Sequence, residues 1–576
     1  MKHKYDLPFG ATLLGNGTTQ FRLWAPSVEK VDLAIEGTRR TMTAQPGGWH
    51  HLALPAPAGT RYQFVLPDGL HVPDPASRAQ DKDVHGPSVV VDPADYKWQN
   101  TDWQGRPWHE AVVYELHAGL MGGFRGITEH LDELQALGIT AIEIMPIADF
   151  PGRHNWGYDG VLPYAPDHAY GSPNELKALI DAAHGRGIMV LLDVVYNHFG
   201  PDGAYLHAYA KPFFRDDIKT PWGAAIDFRR PEVRDYFIQN AIYWLREYRF
   251  DGLRFDAVHA ISEEDFLFDL ARLIRGSIEP GRRIGLVLEH ENNRSRLLGG
   301  PPRFDAQWAD DFHHCLHVLL TGEHEGYYED FQDATDLLVR VLREGFAYQG
   351  QMAPHLGRER GEPSGDLPVT AFVMCLQNHD QIGNRAMGDR LTRLAEPEAL
   401  RAATALLLLA PFVPMLFMGE EWASKSPFLF FTDHNPELAK LVREGRREEF
   451  KRFSAFQDEN KRAHIPDPNA PSTFASSVPE QTDPAQFEFV RHLLELRRRH
   501  VVPGIPGCRS EEAGALGHGA VHAAWRLGTG QLLEMSINLG PQQVKSGVGE
   551  GQVLFATEGV TPEVLPPAGF IALIGA

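Results

Sequence analysis

At 576 residues the chain is too long for one ordinary hydrophobic core, and its length predicts on the order of two to four domains. Its composition, with 43% hydrophobic and 23% charged residues, is typical of a globular enzyme. The net charge of −21 at pH 7 argues against a nucleic acid or an anionic membrane as a partner, so we expect a neutral substrate.

The cysteines and the apolar segments bear on where the protein works. Three cysteines are too few and too irregularly spaced for a disulfide framework, which indicates a reducing compartment. The N-terminus shows no long apolar run behind its lysines, so no signal peptide is predicted and we expect a cytoplasmic protein. The uncharged segment 402–419 approaches membrane-spanning length, but Pro411 and Pro414 interrupt it. We interpret it as a buried helix, a turn and a strand.

Residues 1–106 predict an N-terminal β-sandwich. Pro, Ser and Gly signals separate short segments that alternate or run apolar at strand lengths: 21–26, 30–35 and 62–65. A proline-stiffened connector follows at 73–78. The polar linker after it carries three tryptophans that we expect to seal a domain joint: Trp98, Trp103 and Trp108.

Residues 107–500 predict a (β/α)8 TIM barrel, because apolar strand-length segments alternate there with helical ones. The predicted strands lie at 112–117, 141–146, 188–195, 252–258, 285–289, 304–308, 372–376 and 415–418. This span exceeds the roughly 250 residues of a typical barrel, so we expect inserts after the second, third and sixth strands. After a last helix near 486–499, strand patterns return, and 501–576 predicts a small C-terminal β-sheet domain.

The fourth predicted strand ends in charged residues. Arg254 and Asp256 alternate with apolar neighbours and therefore share one face of the strand. A lone Arg-x-Asp is most simply a structural ion pair. Further carboxylates, however, occur at or just after other predicted strand ends: Asp193, Glu289 and Asp380. Because the carboxyl ends of barrel strands form one mouth, we expect all of these carboxylates to converge there.

Paired carboxylates and a neutral polar substrate suggest glycoside hydrolysis or glycosyl transfer. One carboxylate attacks the sugar carbon and must stay ionised, which Arg254 would favour for Asp256. The other protonates the leaving oxygen, and Glu289, at the end of an apolar strand, fits a group that must stay protonated. Other side chains on this face can hydrogen-bond sugar hydroxyls or stack on sugar rings: His198, His379, Trp156 and Tyr158.

In order along the chain, the segments 193–198, 252–259, 286–289 and 377–380 resemble the four sequence regions of the α-amylase superfamily of glycoside hydrolases. The resemblance implies a retaining double displacement, with Asp256 as nucleophile, Glu289 as general acid/base and Asp380 as the third carboxylate, which grips ring hydroxyls in the transition state. It also implies substrate-binding places for Arg254, His198, His379, Asp193, Asn378, Tyr158 and Trp156.

Within this superfamily, further stretches resemble the maltooligosyltrehalose trehalohydrolase family: 114–117, 145–152, 155–160 and 310–314. Segments 21–26 and 73–78 look like the immunoglobulin-like, carbohydrate-binding type of sandwich that branching, debranching and trehalose-releasing members share. The resemblance implies cleavage of the α-1,4 bond next to a terminal trehalose. Maltooligosyltrehalose and related α-1,4-glucans would be substrates, and a maltooligosyltrehalose synthase the pathway partner. Glycogen branching is the alternative chemistry, and a non-catalytic glucan-binding protein is the alternative class.

We expect no cofactor and no metal ion. The run His313-His314-Cys315-x-His317 is more simply explained by packing than by metal binding. Asn197 stands where calcium-binding amylases place a ligand, but the insert after the third strand offers few other obvious carboxylates. Trp222 and the pair 213–214 either line the sugar groove or pack the insert, and the segment 420–422 reaches the mouth or supports the fold.

A trehalose end and a maltose end differ in linkage and therefore in shape. Hydrogen-bonding sites reject a misplaced hydroxyl more strongly than apolar surface does, so we expect polar groups to discriminate them. These groups should lie on the leaving-group side of Glu289, in the loop after Asn155, the insert after His198 or the segment 290–292.

Overall fold

The computed structural model describes residues 4–14 and 16–576 of the chain. Its centre is a closed barrel of eight parallel strands, with separate β-sheets before and after the barrel in the sequence. This architecture confirms the predicted (β/α)8 fold with an N-terminal sandwich and a C-terminal β-domain.

The chain before the barrel forms two antiparallel sheets. One sheet has the strand order Gly10–Leu13, Thr18–Trp24, Trp49–Pro55 and Thr43–Gln45. The other has the order Thr38–Thr41, Asp32–Ile35, Arg61–Val65 and His71–Val72, with Ser88–Val89 also paired to Arg61–Val65. Alternating residues of Thr18–Trp24 are buried, as expected for a strand with one face on a core. The Phe21 ring meets the Tyr62 ring of the other sheet with a centroid distance of 4.8 Å.

The barrel closes in chain order through the strands Val113–Leu116, Ala141–Ile144, Met189–Val194, Gly252–Phe255, Gly285–Leu288, Ala306–Trp308, Phe372–Met374 and Val413–Phe417. Every residue of these strands is buried, which explains why the segments read as apolar runs rather than as alternating patterns. The residues facing the barrel interior include the charged side chains that build the site.

Helices cover the barrel and its inserts. The longer ones are Gly123–Leu137, Pro173–Gly185, Pro231–Arg246, Glu264–Ser277, Asp310–Thr321, Ala334–Glu344, Pro397–Leu409, Pro436–Glu449 and Pro484–Leu496. Shorter ones are Leu206–Tyr209, His379–Gly383, Leu391–Leu394, Glu459–Ala463 and Pro471–Ala475. Gly138 ends the first helix with a positive φ of 108°, and a capping box of Ser172 and Glu175 starts the second.

The segment 402–419 forms the end of helix Pro397–Leu409, a turn and the strand Val413–Phe417, as predicted. Within the described ranges no helix is long and apolar enough to cross a membrane. The cysteines Cys315, Cys375 and Cys508 are free thiols, in line with the absence of a disulfide framework predicted from their number and spacing.

Three inserts on the carboxyl side of the barrel carry small hairpins. They pair Ala148–Asp149 with Leu162–Pro166, Phe214–Thr220 with Gly223–Ile226, and Gln351–Ala353 with Arg358–Arg360. A further insert after the eighth strand, with helix Pro436–Glu449 at its centre, was not predicted, because its polar helices resemble ordinary surface helices of a barrel. The C-terminal sheet has the order Arg509–Gly517, Ala520–Arg526, Leu532–Asn538, Gly569–Gly575 and Gln552–Ala556.

A buried ion pair joins the N-terminal region to the barrel. Arg78 Nη1 lies 2.6 Å from Glu247 Oε2, and the two side chains are 5% and 1% exposed. Arg78 Nη2 also donates to the carbonyl of Tyr5 at 3.0 Å. Lys177 Nζ lies 3.6 Å from the other Glu247 oxygen. Arg78 therefore supplies, from the N-terminal region, the shorter of the two cation contacts that compensate Glu247.

The linker tryptophans contact the amino-terminal end of the barrel. Trp103 Nε1 donates to Asp251 Oδ1 at 2.8 Å, and its ring stacks on His184 with a centroid distance of 5.1 Å. Trp108 Nε1 donates to the carbonyl of Thr370 at 3.0 Å. These side chains seal the barrel floor opposite the mouth.

We predict that Arg78→Met lowers the free energy of unfolding by about 3 kcal/mol, because Glu247 would remain as a buried and poorly compensated charge. Denaturant unfolding measures the loss. Arg61→Met is the matched control, since Arg61 is 64% exposed in its pair with Asp81 and should cost less than about 1 kcal/mol. Equal effects of the two substitutions would show that the junction adds nothing to stability.

Candidate active site

The sequence-predicted carboxylates meet at the mouth of the barrel. Asp256 and Glu289 each follow directly after a barrel strand, Gly252–Phe255 and Gly285–Leu288. Asp193 lies in the third strand, and Asp380 lies in the first turn of the short helix after the seventh. The barrel thus brings together side chains that are up to 187 residues apart between Asp193 and Asp380.

Arg254 is the centre of this group, and its side chain is fully buried. Nη1 lies 2.6 Å from Asp193 Oδ2 and 2.9 Å from Asp256 Oδ1. Nη2 lies 2.8 Å from Glu289 Oε2. The guanidinium carbon sits 4.0 Å from the centre of the Trp308 ring, so an aromatic face covers the cation as well. One planar group therefore sets the relative positions of three carboxylates.

Asp256 is surrounded by donors. Besides the Arg254 contact, Oδ2 accepts a hydrogen bond of 2.8 Å from the amide nitrogen of Asn197. A cation and a donor on the two oxygens favour the ionised form that a nucleophile needs. Sequence reasoning considered Asn197 only as a calcium ligand, although its place just after the third strand could have marked it as a partner of the strand-four carboxylate.

Glu289 lies in a charged setting rather than in the apolar one that its strand suggested. Oε2 contacts Arg254 and accepts the backbone N–H of Ala257 at 2.8 Å. Leu286 and Leu288 pack in the large core cluster, whereas Val287 belongs to the cluster in the barrel interior, and Glu289, two residues later, continues that inward face and reaches the arginine. A second carboxyl is nearby: burial, and then the carboxylates of Glu289 and Asp380, raise the pKa of Asp310 to about 8. The sequence marked Asp310 only within the segment 310–314 that resembles the family, and not as a site residue.

Asp193 supports the site from below. Its Oδ2 accepts hydrogen bonds of 2.6 Å from the Tyr158 hydroxyl and from Arg254. Burial raises the pKa of Asp193 to about 7, although the arginine opposes that shift. Both of these contacts are to protein groups, so the geometry gives Asp193 the task of orienting Arg254 and Tyr158.

His198 and Trp222 form a wall beside the nucleophile. His198 Nε2 pairs with the carbonyl of Tyr158 at 3.0 Å, and Nδ1 pairs with the side chain of Asn197. The Trp222 ring stacks on the imidazole with a centroid distance of 4.6 Å and remains 47% exposed. Phe213 is buried instead. Of the two options left open, Trp222 therefore fits the groove and Phe213 packs the insert.

Two other predicted substrate-binding residues are engaged by the protein. Trp156 is 5% exposed, donates from Nε1 to the carbonyl of Leu429 at 2.9 Å and stacks on Phe428. Asn378 is buried, and its Oδ1 accepts the backbone N–H of Asp380 at 2.9 Å, so it caps the short helix. In this arrangement both Trp156 and Asn378 contact protein groups and position neighbouring side chains of the site.

His379 and Asp380 lie side by side at the mouth. His379 Nε2 is 3.4 Å from Asp380 Oδ1, and the Asp380 side chain is 37% exposed. The Tyr158 ring stacks on the imidazole with a centroid distance of 5.1 Å. Although burial lowers it, the carboxylates of Asp380 and Glu115 raise the pKa of His379 to about 9.

The alternative sites considered from the sequence have structural contacts. In the histidine run, His313 Nε2 pairs with the Tyr328 hydroxyl at 2.8 Å, and His317 stacks on the same ring at 4.1 Å. Glu420 accepts the backbone N–H of Phe417, and Glu421 accepts the Tyr114 hydroxyl at 2.8 Å. These contacts match the packing and fold-supporting interpretations.

Comparison with known proteins gives the same family as the site. A family model described as the alpha amylase catalytic domain matches residues 96–222, and a domain of unknown function, DUF3459, matches residues 508–571. A malto-oligosyltrehalose trehalohydrolase of Deinococcus radiodurans is 43% identical over 515 residues, which are 87% of this chain and 84% of the relative.

Two further comparisons show how far the similarity extends along the chain. A Salmonella typhimurium crystal structure, described as that of a candidate alpha amylase, has a TM-score of 0.94 and 43% identity, and the match covers 99% of this chain and all of that one. A 1,4-alpha-glucan branching enzyme of Corynebacterium jeikeium is 32% identical over 284 residues, only 44% of this chain and 40% of the relative. The chain belongs to the malto-oligosyltrehalose trehalohydrolase family of the α-amylase superfamily.

Proposed function

We propose that the protein hydrolyses the α-1,4-glucosidic bond next to the terminal trehalose unit of maltooligosyltrehalose and releases free trehalose. As a member of its family it is a glycoside hydrolase that acts in trehalose formation. The observation that carries the proposal is the contact of buried Arg254 with Asp193, Asp256 and Glu289 at the barrel mouth. Such a substrate is uncharged, which suits a chain with a net charge of −21.

In the mechanism that we propose, Asp256 attacks the anomeric carbon while Glu289 gives its proton to the leaving oxygen. The carbon–oxygen bond breaks, trehalose leaves, and a glycosyl ester forms on Asp256. Glu289, now ionised, takes a proton from water, whose oxygen displaces the ester with net retention. Arg254 and Asn197 each contact one oxygen of Asp256 and hold the nucleophile in place. Asp380, which is partly exposed, grips ring hydroxyls in the transition state.

The proton on Glu289 has to be present when the leaving oxygen binds. A bound sugar would exclude water from this carboxyl, which favours the neutral acid. Arg254 and the Ala257 N–H favour the carboxylate that remains after the transfer. We therefore propose that the bound sugar favours the protonated Glu289 that the first step needs, and that Arg254 and the Ala257 N–H stabilise the ionised Glu289 that the second step needs.

Two alternatives remain from the sequence. A non-catalytic glucan-binding protein would not need a nucleophile held by Arg254 and Asn197. Glycogen branching uses the same carboxylates and differs only in the acceptor, which is a sugar hydroxyl instead of water. The partial match to a branching enzyme, compared with the match to a trehalohydrolase over 87% of the chain, favours hydrolysis.

The trehalose end should be recognised by polar groups beside Glu289. The segment 290–292 is held by the hairpin of the sixth-strand insert, where Arg358 Nη2 lies 3.2 Å from Glu291 Oε2. Arg360 Nε donates to the carbonyl of Glu291 at 2.8 Å. We propose that this segment, the loop after Asn155 and the insert carrying Trp222 discriminate trehalose from maltose. A maltooligosyltrehalose synthase in the same cytoplasm would supply the substrate.

We predict that digestion of maltooligosyltrehalose yields trehalose as the main disaccharide, whereas maltooligosaccharide of equal length is cut far more slowly. The reason is that the plain maltose end leaves polar groups on the leaving-group side unpaired. Chromatography of both digests measures the products. New α-1,6 branch points in amylose without a trehalose peak would instead identify a branching enzyme.

We predict that Asp256→Ala lowers kcat by about 10⁴-fold or more, because the covalent step loses its nucleophile. Glu289→Gln should lower kcat by about 10²–10⁴-fold, the usual contribution of a general acid. Single-turnover kinetics measure both losses. NMR of the fresh product should show retention at the anomeric carbon, with the two carboxyl groups roughly 5–5.5 Å apart in a crystal structure. Immediate inversion would rule out the mechanism.

We predict that Arg254→Lys lowers kcat on the order of 10²-fold with a smaller change in KM. Lysine keeps the charge but loses the planar fork that aligns Asp193, Asp256 and Glu289. Steady-state kinetics on maltooligosyltrehalose separate the two constants, and circular dichroism controls for folding. A rise in KM at unchanged kcat would make Arg254 a substrate clamp instead.

A further inference from the structure

Glu115 and Glu143 lie next to each other inside the barrel. They are register partners on the first and second strands, and both are buried. Their neighbours Val113 and Ala141, two residues earlier, belong to the cluster that fills the barrel interior, so strand alternation directs both glutamates inward. The proposed mechanism uses neither side chain.

Only one of these two glutamates is bound to a group at the mouth. Glu115 Oε1 lies 2.5 Å from His379 Nδ1, and Oε2 accepts the backbone N–H of His379 at 3.2 Å. These contacts hold both the ring and the backbone of His379. They also place a proton on Nδ1, and the other ring nitrogen, Nε2, lies 3.4 Å from Asp380 Oδ1.

The charge of His379 is set by the groups that face it from several elements. Burial and the cation of Arg254 disfavour the imidazolium, whereas Asp380 and Glu115 favour it, and the balance raises the pKa to about 9. Burial lowers the pKa of nearby His117 to about 4, so His117 is neutral. Burial, and then neighbouring carboxylates, raise the pKa of Glu143 well above its ordinary value.

Aromatic side chains enclose the rest of the imidazole. Tyr158 stacks on it at 5.1 Å, and the Trp156 and Trp308 rings lie at 5.6 Å and 6.0 Å. Two carboxylates favour the imidazolium form of His379. Asp380 is part of the proposed site, and Glu115 contacts the ring from the barrel interior.

We propose that Glu115 is a positioning residue that keeps His379 an imidazolium, with Nε2–H directed at Asp380 and at the sugar hydroxyl that binds beside it. The proposal rests on the proposed function of Asp380. The fixed imidazolium orients the Asp380 carboxylate. The hydrogen bond from His379 to the sugar hydroxyl becomes stronger as charge develops in the transition state. The loss of Glu115 should therefore lower kcat more than it raises KM.

The expected pH dependence has a definite sign. The pKa of His379 is raised, so the imidazolium is present at neutral pH and is lost as the pH rises through about 9. Glu115→Gln removes one of the two carboxylates that raise this pKa, which should bring it down by about 1–3 units. The Glu115→Gln variant then loses the imidazolium over a pH range in which the wild-type enzyme keeps it.

The kinetic test is the ratio of variant to wild-type kcat on maltooligosyltrehalose, measured at pH 6 and at pH 8. For Glu115→Gln we expect this ratio to be about tenfold smaller at pH 8. The ratio cancels pH effects that the two enzymes have in common. Glu143→Gln is the matched control and should give a pH-independent ratio. In a His379→Asn background, Glu115→Gln should also give a pH-independent ratio.

NMR of protein labelled at histidine Cε1 provides a readout without substrate, with the His379→Asn variant assigning the signal. We expect the His379 signal to titrate near pH 9 in the wild type, to move down in Glu115→Gln and to stay in place in Glu143→Gln. A wild-type His379 that titrates at or below its ordinary value of about 6.5 would overturn the proposal even if Glu115→Gln failed to fold. A pH-independent kinetic ratio for Glu115→Gln would overturn it as well. Failure to release trehalose would count against the proposed function alone.

Discussion

The rest of the site depends on the desolvation of one guanidinium group. Taking a cation out of water costs several kcal/mol, so a fully buried Arg254 is tolerated only because anions and an aromatic face surround it. The carboxylates that compensate Arg254 are those that the chemistry needs, and their positions follow from the planar fork. Burial, and to a lesser degree the neighbouring carboxylates, hold the pKa values of Asp193 and Glu143 above their ordinary values.

Much of the fold could be predicted because its main signal is local. Barrel strands buried on both faces give apolar runs, such as Met189–Val194, that stand out against amphipathic helices such as Gly123–Leu137. The placing of Asp256, Glu289 and Asp380 followed from one rule, that the strand ends of a parallel barrel share a mouth. The insert after the eighth strand escaped prediction because its polar helices carry no mark that distinguishes them from barrel helices.

The contacts within the site could not be predicted to the same degree, because they depend on which groups meet across strands. Trp156 was expected to face a sugar, yet the loop folds so that Phe428 covers its ring. Glu289 ends an apolar strand, and the pairing of that strand with the one before it brings Arg254 against it. Glu115 lies 264 residues from its partner His379, so nothing in the neighbouring sequence marks it as part of the site.

The ion pair of Arg78 with Glu247 has a consequence for how the chain can be divided. The sequence suggests a boundary near residue 106, but a fragment that starts there would lose Arg78 while keeping Glu247 in the barrel. It would also lose Trp103, whose nitrogen binds Asp251 and whose ring covers His184. A fragment that begins at residue 107 would therefore leave side chains of the barrel without partners that the connector and the linker supply in the whole chain.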